Sequence, residues 1–209
     1  MQLTKFKHAC FTVTKDTKTI VVDPGAFSTD FVVPDNVVAT VITHEHADHL
    51  DEKQLQAISE RNPDMVVVAH ESIASKLKRV KTRGVAAGDT IEIGGFILTF
   101  TGGEHATIAP HLPPLANLGV HINQTLYYPG DSFTPPADTV KVLALPAAAP
   151  WMKASEAIAF LASVRPEQAF PTHDAILSSE GKEIYDRLYE AAANSHGTRY
   201  QRISTPIDL

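Results

Sequence analysis

The chain has 209 residues, a net charge of −6, ten histidines and one cysteine. At about 150 residues per domain, this length fits one domain over residues 1–209 with a core that needs no staples. The lone Cys10 excludes a disulfide framework and a thiolate zinc cluster. The 24 acidic against 18 basic residues, with no basic run, exclude a protein built to ride on phosphate backbones. The opening MQLTKFKHACFTVTKD lacks the apolar core of a signal peptide. Val142–Pro150, the most apolar stretch, is too short to cross a bilayer. A cytoplasmic protein is expected, with neither membrane nor nucleic acid as partner.

Strand and helix signals alternate along the chain. Leu3–Phe6, Cys10–Thr14 and Thr19–Val22 are rich in β-branched and aromatic residues and read as strands. Val37–Thr43 is a continuous apolar run, the pattern of a strand buried on both faces. Glu52–Ser59 and Glu71–Arg79 read as amphipathic helices on either side of a second buried strand, Met65–Ala69. Ile91–Thr101 contains Gly94-Gly95, a hairpin signal. Val120–Ile122 and Leu126–Tyr128 form a second hairpin around Asn123. Val140–Leu145 and Gln168–Phe170 read as strands. Ala154–Val164, stopped by Pro166, and Ser179–Ala193 read as helices. The economical architecture is α/β: two stacked sheets with helices on the outer faces.

The densest chemistry lies at Thr43-His44-Glu45-His46-Ala47-Asp48-His49-Leu50, directly after a buried strand. His44 and His46 are two apart, so an extended backbone projects both to one side. Asp48 and His49 fall where the chain turns toward the next helix, which swings them over the same point. Imidazoles and a carboxylate without thiolates suit zinc, manganese or iron. A merely solvated polar loop is the poorer reading for four ligand-type residues in six. Four more places share the grammar of apolar run, then ligand-type residue, next to small residues: Asp23 after Val22, His105 after Gly102-Gly103, Asp131 after Pro129-Gly130, and His173 after Pro171-Thr172. Each alone reads as a turn or surface residue; together they supply enough nitrogen and oxygen for two ions.

The ordered set of an early Asp, HxHxDH, then His, Asp and His resembles the metallo-β-lactamase superfamily, and the matches span Asp23 to His173. The resemblance implies an αβ/βα four-layer sandwich of two mixed sheets with a dinuclear site on the edge between them. By motif, His44, His46 and His105 hold one metal; Asp48, His49 and His173 hold the other; Asp131 bridges. Asp23 braces the histidine loop through hydrogen bonds. The opening Lys7-His8-Ala9 and Val21-Val22-Asp23-Pro24 resemble the branch of small metal-dependent hydrolases that includes the ascorbate-6-phosphate lactonase. A pair of divalent ions about 3.5–4 Å apart shares a hydroxide and brings its pKa toward neutrality. The expected enzyme therefore cleaves a small ester, lactone or phosphoester. Asp48 orients the nucleophile or shuttles its proton. Zinc is the foremost cofactor, with manganese or iron as the other candidates.

His111, Lys153 and His8 are candidate substrate contacts, while Trp151 reads as packing. His70, His121 and His196 need no function. The alternatives are a mono- or di-iron redox enzyme of the same fold, such as a persulfide dioxygenase, and a non-catalytic binding module. The intact ligand set argues against both. The partner is a small-molecule substrate, and the edge strands leave room for a homo-oligomer.

Overall fold

A computed structural model describes residues 1–209. Two seven-stranded mixed sheets carry the chain. The first is ordered β14 (Ile207–Asp208), β1 (Gln2–Lys5), β2 (Phe11–Lys15), β3 (Lys18–Val22), β4 (Val37–Ile42), β5 (Val66–His70), β6 (Thr82–Val85). The second is ordered β13 (Arg199–Tyr200), β12 (Gln168–Thr172), β11 (Val142–Pro146), β10 (Leu126–Tyr128), β9 (Ala116–Ile122), β8 (Phe96–Glu104), β7 (Thr90–Ile93). Helices α1 (Glu52–Arg61) and α2 (Glu71–Ala74) accompany the first sheet, and α3 (Ala154–Val164) and α4 (Ser179–Ser195) the second.

The layering follows from side-chain alternation in strands buried on both faces. In β4, Ala39 and Val41 enter the core between the sheets, whereas Val37 and Ile42 pack under α1 with Leu55 and Ile58. In β11, Val142 and Ala144 face the inner core, and Leu143 and Leu145 meet α3 and α4 through Phe160, Leu161 and Tyr189. Phe11 joins the two sheets with edge-on contacts to Tyr128 at 5.5 Å and Phe170 at 6.1 Å. No helix is long and apolar enough to cross a membrane.

Several details differ from the sequence expectations, among them the start of β9 at Ala116 where Val120 was expected. The helix expected over Glu71–Arg79 ends at Ala74, because the chain must turn back to lay β6 parallel to β5. Lys78 Nζ donates to Ser75 O (2.5 Å) and closes that end. Strand β8 runs on past Thr101 to Glu104, since Gly102 and Gly103 adopt positive φ values of 91° and 139° within it. The short edge strands β6, β13 and β14 went unread.

Candidate metal centre

Strands β3 and β4 are parallel. Strands β8 and β10 are both antiparallel to β9, so they run the same way, and β10, β11 and β12 are parallel. Leu118 N–H in β9 donates to Thr43 O at 2.9 Å, bringing the sheets together at this edge. Asp23, His44–His49, His105, Asp131 and His173 therefore emerge from five strand ends into one place. Their donor atoms form overlapping groups, each within 4.8 Å: His44, His46 and His105; Asp48, His49 and His173 together with His8; and His44, His49 and Asp131.

The far nitrogen decides the tautomer of four of the histidines; the fifth, His46, turns its Nδ1 to within 3.1 Å of His44 Nε2. His49 Nδ1 donates to Asp23 Oδ2 (2.7 Å), His105 Nδ1 to Ala106 O (2.5 Å), and His173 Nδ1 to Ala148 O (2.7 Å). His44 Nδ1 lies 3.0 Å from Thr43 Oγ1, whose hydroxyl proton is already given to Asp23 Oδ2 at 2.6 Å. Four imidazoles are thus anchored through Nδ1 and leave Nε2 for the centre. Asp23 Oδ1 also accepts Thr43 N–H at 2.8 Å.

Buried atoms without hydrogen-bond partners mark the middle: His49 Nε2, His105 Nε2 and Asp131 Oδ1. Buried polar atoms are seldom left unpaired, because each forfeits its hydration. Asp131 Oδ1 faces His49 Nε2 across 3.3 Å, and its Oδ2 lies 3.1 Å from His173 Nε2 and 3.4 Å from His105 Nε2. The carboxylate sits between both histidine sets.

The carboxylates and imidazoles of the site hold one another in their charged forms. Burial opposes ionisation of Asp131, but His49, His105 and His173 outweigh it and hold its carboxyl well below the usual range. Asp48 is lowered in the same way, by His173 and His8 against burial. In return, burial works against charge on His49, yet Asp131 and Asp23 lift it to about 10; His173 is lifted to about 9. His44, which is desolvated and crowded by His49, falls well below its ordinary value.

The backbone is bent to serve the site. Asp23, His173 and His8 adopt positive φ values of 44°, 57° and 59°. Such conformations cost on the order of 1 kcal/mol each and persist only where surrounding contacts over-determine them. Gly25 is required for a different reason: a Cβ there would lie 1.9 Å from Asp48 O, so the Asp23 turn and the histidine loop press backbone to backbone.

Two residues emerge with closer ties than the sequence indicated. His8 accepts Ala175 N–H at Nδ1 (3.3 Å), so its Nε2 carries the proton and donates to Asp48 Oδ2 (2.9 Å). His8 O in turn accepts from His173 N (3.1 Å) and from half-buried Lys5 Nζ (2.6 Å). Trp151, read as packing, donates Nε1–H to Asp131 Oδ2 at 2.8 Å. Asn117 was missed outright. It is fully buried in β9, its Oδ1 accepts Asp131 N–H (3.0 Å), and its Nδ2 donates to Pro129 O (2.9 Å), so it fixes the turn that presents Asp131. A polar amide directly preceding the strand run Leu118–Ile122 was the available signal. His111 and Lys153 take other places: His111 is exposed on its loop, Lys153 is the exposed N-cap of α3, and neither lines the cleft beside His46 and His105. His121 is buried in β9 against Tyr127. His70 caps α2, accepting Ser72 N–H at Nδ1.

Known proteins resemble this chain in sequence and in fold. A family model described as "Beta-lactamase superfamily domain" matches residues 2–173. The chain belongs to the metallo-β-lactamase superfamily. Within it, Protein Rv0786c of Mycobacterium tuberculosis is 37% identical over 190 residues, covering 88% of this chain and 89% of that protein. A UPF0173 metal-dependent hydrolase of Methanocaldococcus jannaschii is 32% identical over 137 residues, 62% of this chain and 60% of that one. The metallo hydrolase Igni18 of Ignicoccus hospitalis superposes with a TM-score of 0.78 at 19% identity, covering 100% of this chain and 98% of the other. The two-sheet sandwich described above is the metallo-β-lactamase fold.

Proposed function

We propose that this chain is a dinuclear metal-dependent hydrolase that cleaves a small ester, lactone or phosphoester. The observation that carries the reading is the tautomer pattern: imidazoles pinned through Nδ1 offer Nε2 to a pocket where buried His49 Nε2, His105 Nε2 and Asp131 Oδ1 lack partners. The donor set is all nitrogen and oxygen, which suits zinc first, then manganese or iron. His44, His46 and His105 would hold one ion and Asp48, His49 and His173 the other, with Asp131 shared. When bound, two such ions supply a water activated near neutral pH and polarise the oxygen of the scissile group.

The remaining roles belong to the chain. Asp48 is the more open of the two central carboxylates, with 21% of its side chain exposed against 3% for Asp131. It is the group that meets solvent and substrate, so as a carboxylate it accepts a hydrogen bond from the nucleophile and orients it. The His8 Nε2–H bond fixes which Asp48 oxygen is engaged and keeps the other free for that work. The family relatives named as hydrolases support the same reading.

Elemental analysis is expected to find close to two ions per chain in active protein. A folded preparation that neither binds ions nor gains turnover on their addition would overturn the reading. Binding should also release protons. In the metal-free chain His49 titrates at about 10 and His173 at about 9, above the ordinary 6.5, so both carry protons at neutral pH that an ion must displace. Calorimetry in buffers of different ionisation heat is expected to show about two protons leaving near pH 7.5, with uptake becoming weaker as pH falls. The stability that these protons lend the metal-free fold is complete below about pH 6.5 and is lost as pH rises through about 9 to 10.

Trp151→Phe removes one donor to Asp131 and leaves the ring. Zinc affinity is expected to fall about tenfold, the scale for partners that orient ligands. Because Trp151 is the sole tryptophan, its emission should respond to zinc in the wild type. Unchanged affinity in the variant would leave its N–H without a role.

A further inference from the structure

A cleft of about 380 Å³ opens beside His46 and His105. Its volume lies in the range of small-molecule sites. The loop from β8 to β9 builds its wall, and Pro110, Pro113 and Pro114 stiffen that loop. Ile108 and Leu112 line it while 38% and 47% exposed, so two large apolar side chains wait in solvent at the mouth of a metal centre. Histidines aside, Glu104 supplies the only charge in the lining, and no lysine or arginine lines it. Lys76, near the histidine loop, is taken by Glu45 at 2.5 Å.

Resting on the hydrolase reading above, we propose that this cleft receives the part of the substrate away from the scissile group, and that this part is uncharged and apolar, so that the enzyme prefers substrates with a neutral aliphatic or aromatic side group over those that carry an anionic one there. An apolar group gains about fourfold in binding for each methylene it removes from water against Ile108 and Leu112. An anion placed against Ile108 and Leu112, away from the ions, loses hydration, finds no lysine or arginine in the lining and meets the Glu104 carboxylate, a like-charge juxtaposition that suppresses binding.

The test uses the zinc-loaded full chain and two ligands of matched length, a butyryl compound and its analogue ending in a sulfonate, a weak metal ligand. Their unreactive N-methylamides are titrated by Trp151 emission, and their 4-nitrophenyl esters are assayed for turnover. The neutral amide is expected to bind at least about tenfold tighter, with a similar preference in kcat/KM. Leu112→Asp should erase the advantage by weakening the neutral ligand. Glu104→Lys should collapse or reverse the ratio at unchanged metal content. Equal binding of the two amides, or a ratio that neither variant moves, would overturn the proposal. If the amides bind in the expected order but no ester turns over, the cleft assignment stands and the hydrolase reading falls.

Discussion

Asp131→Ala is expected to yield a folded chain that holds far less than two ions and hydrolyses nothing at a measurable rate. Asp131 is the carboxylate that faces His49 from Oδ1 and both His105 and His173 from Oδ2, at 3.1 to 3.4 Å. Without it the two histidine sets lose the negative charge they share. Much of the support that lifts His49 and His173 above neutral imidazole goes with it, leaving Asp23 and Asp48 to supply the rest. Even residues that only orient metal ligands change affinity by about 10–100-fold when removed, so loss of the shared carboxylate should exceed that range. Elemental analysis and turnover on one preparation check the prediction. Full activity with two ions retained would strip Asp131 of the bridging role.

Asp23→Ala should damage the fold and the centre together. The Asp23 side chain is wholly buried and takes three donors: Thr43 N, Thr43 Oγ1 and His49 Nδ1. Alanine leaves all three without an acceptor inside the protein, and breaking a buried charged network of this kind costs about 3–5 kcal/mol. For a chain of this size that corresponds to a fall in Tm of about 6–20 °C. Zinc affinity should drop as well, because His49 loses the anchor that sets its tautomer. Thermal melts with and without zinc separate the two effects. A Tm within about 2 °C of wild type would mean that the histidine loop holds itself. Asp23→Asn keeps an acceptor for Thr43 N but can turn an N–H toward His49, so it should rescue stability more than metal binding.

The centre was legible in the sequence because its residues follow apolar strand runs, and parallel strands deliver their C-terminal ends to one edge. Val37–Thr43 leading into His44 carries that logic, as does Tyr127-Tyr128 leading into Asp131. What was hidden depends on distances that no local pattern encodes. His8 meets Asp48 from forty positions away, through a left-handed turn. Trp151 reaches Asp131 from the loop after β11, and only the path of that loop decides whether an indole packs or donates. Strand β6 is Thr82-Arg83-Gly84-Val85, mostly exposed and without a strand composition; it is extended because β5 offers it a ladder. The helix expected beyond Ala74 gave way to the same tertiary demand.

The position of the ligand set has a mechanical consequence. Asp23 and the His44–His49 loop hang from the first sheet, whereas His105, Asp131 and His173 hang from the second. An ion gripped from both sides is a crosslink across the seam of the sandwich. It ties segments far apart in the chain, and ties that close long loops take the most freedom from the unfolded state. Chelation should therefore loosen the joint between the halves as well as silence the chemistry. A mutation screened only for lost turnover would then blur two injuries, one to the tool and one to the rivet that holds its halves together.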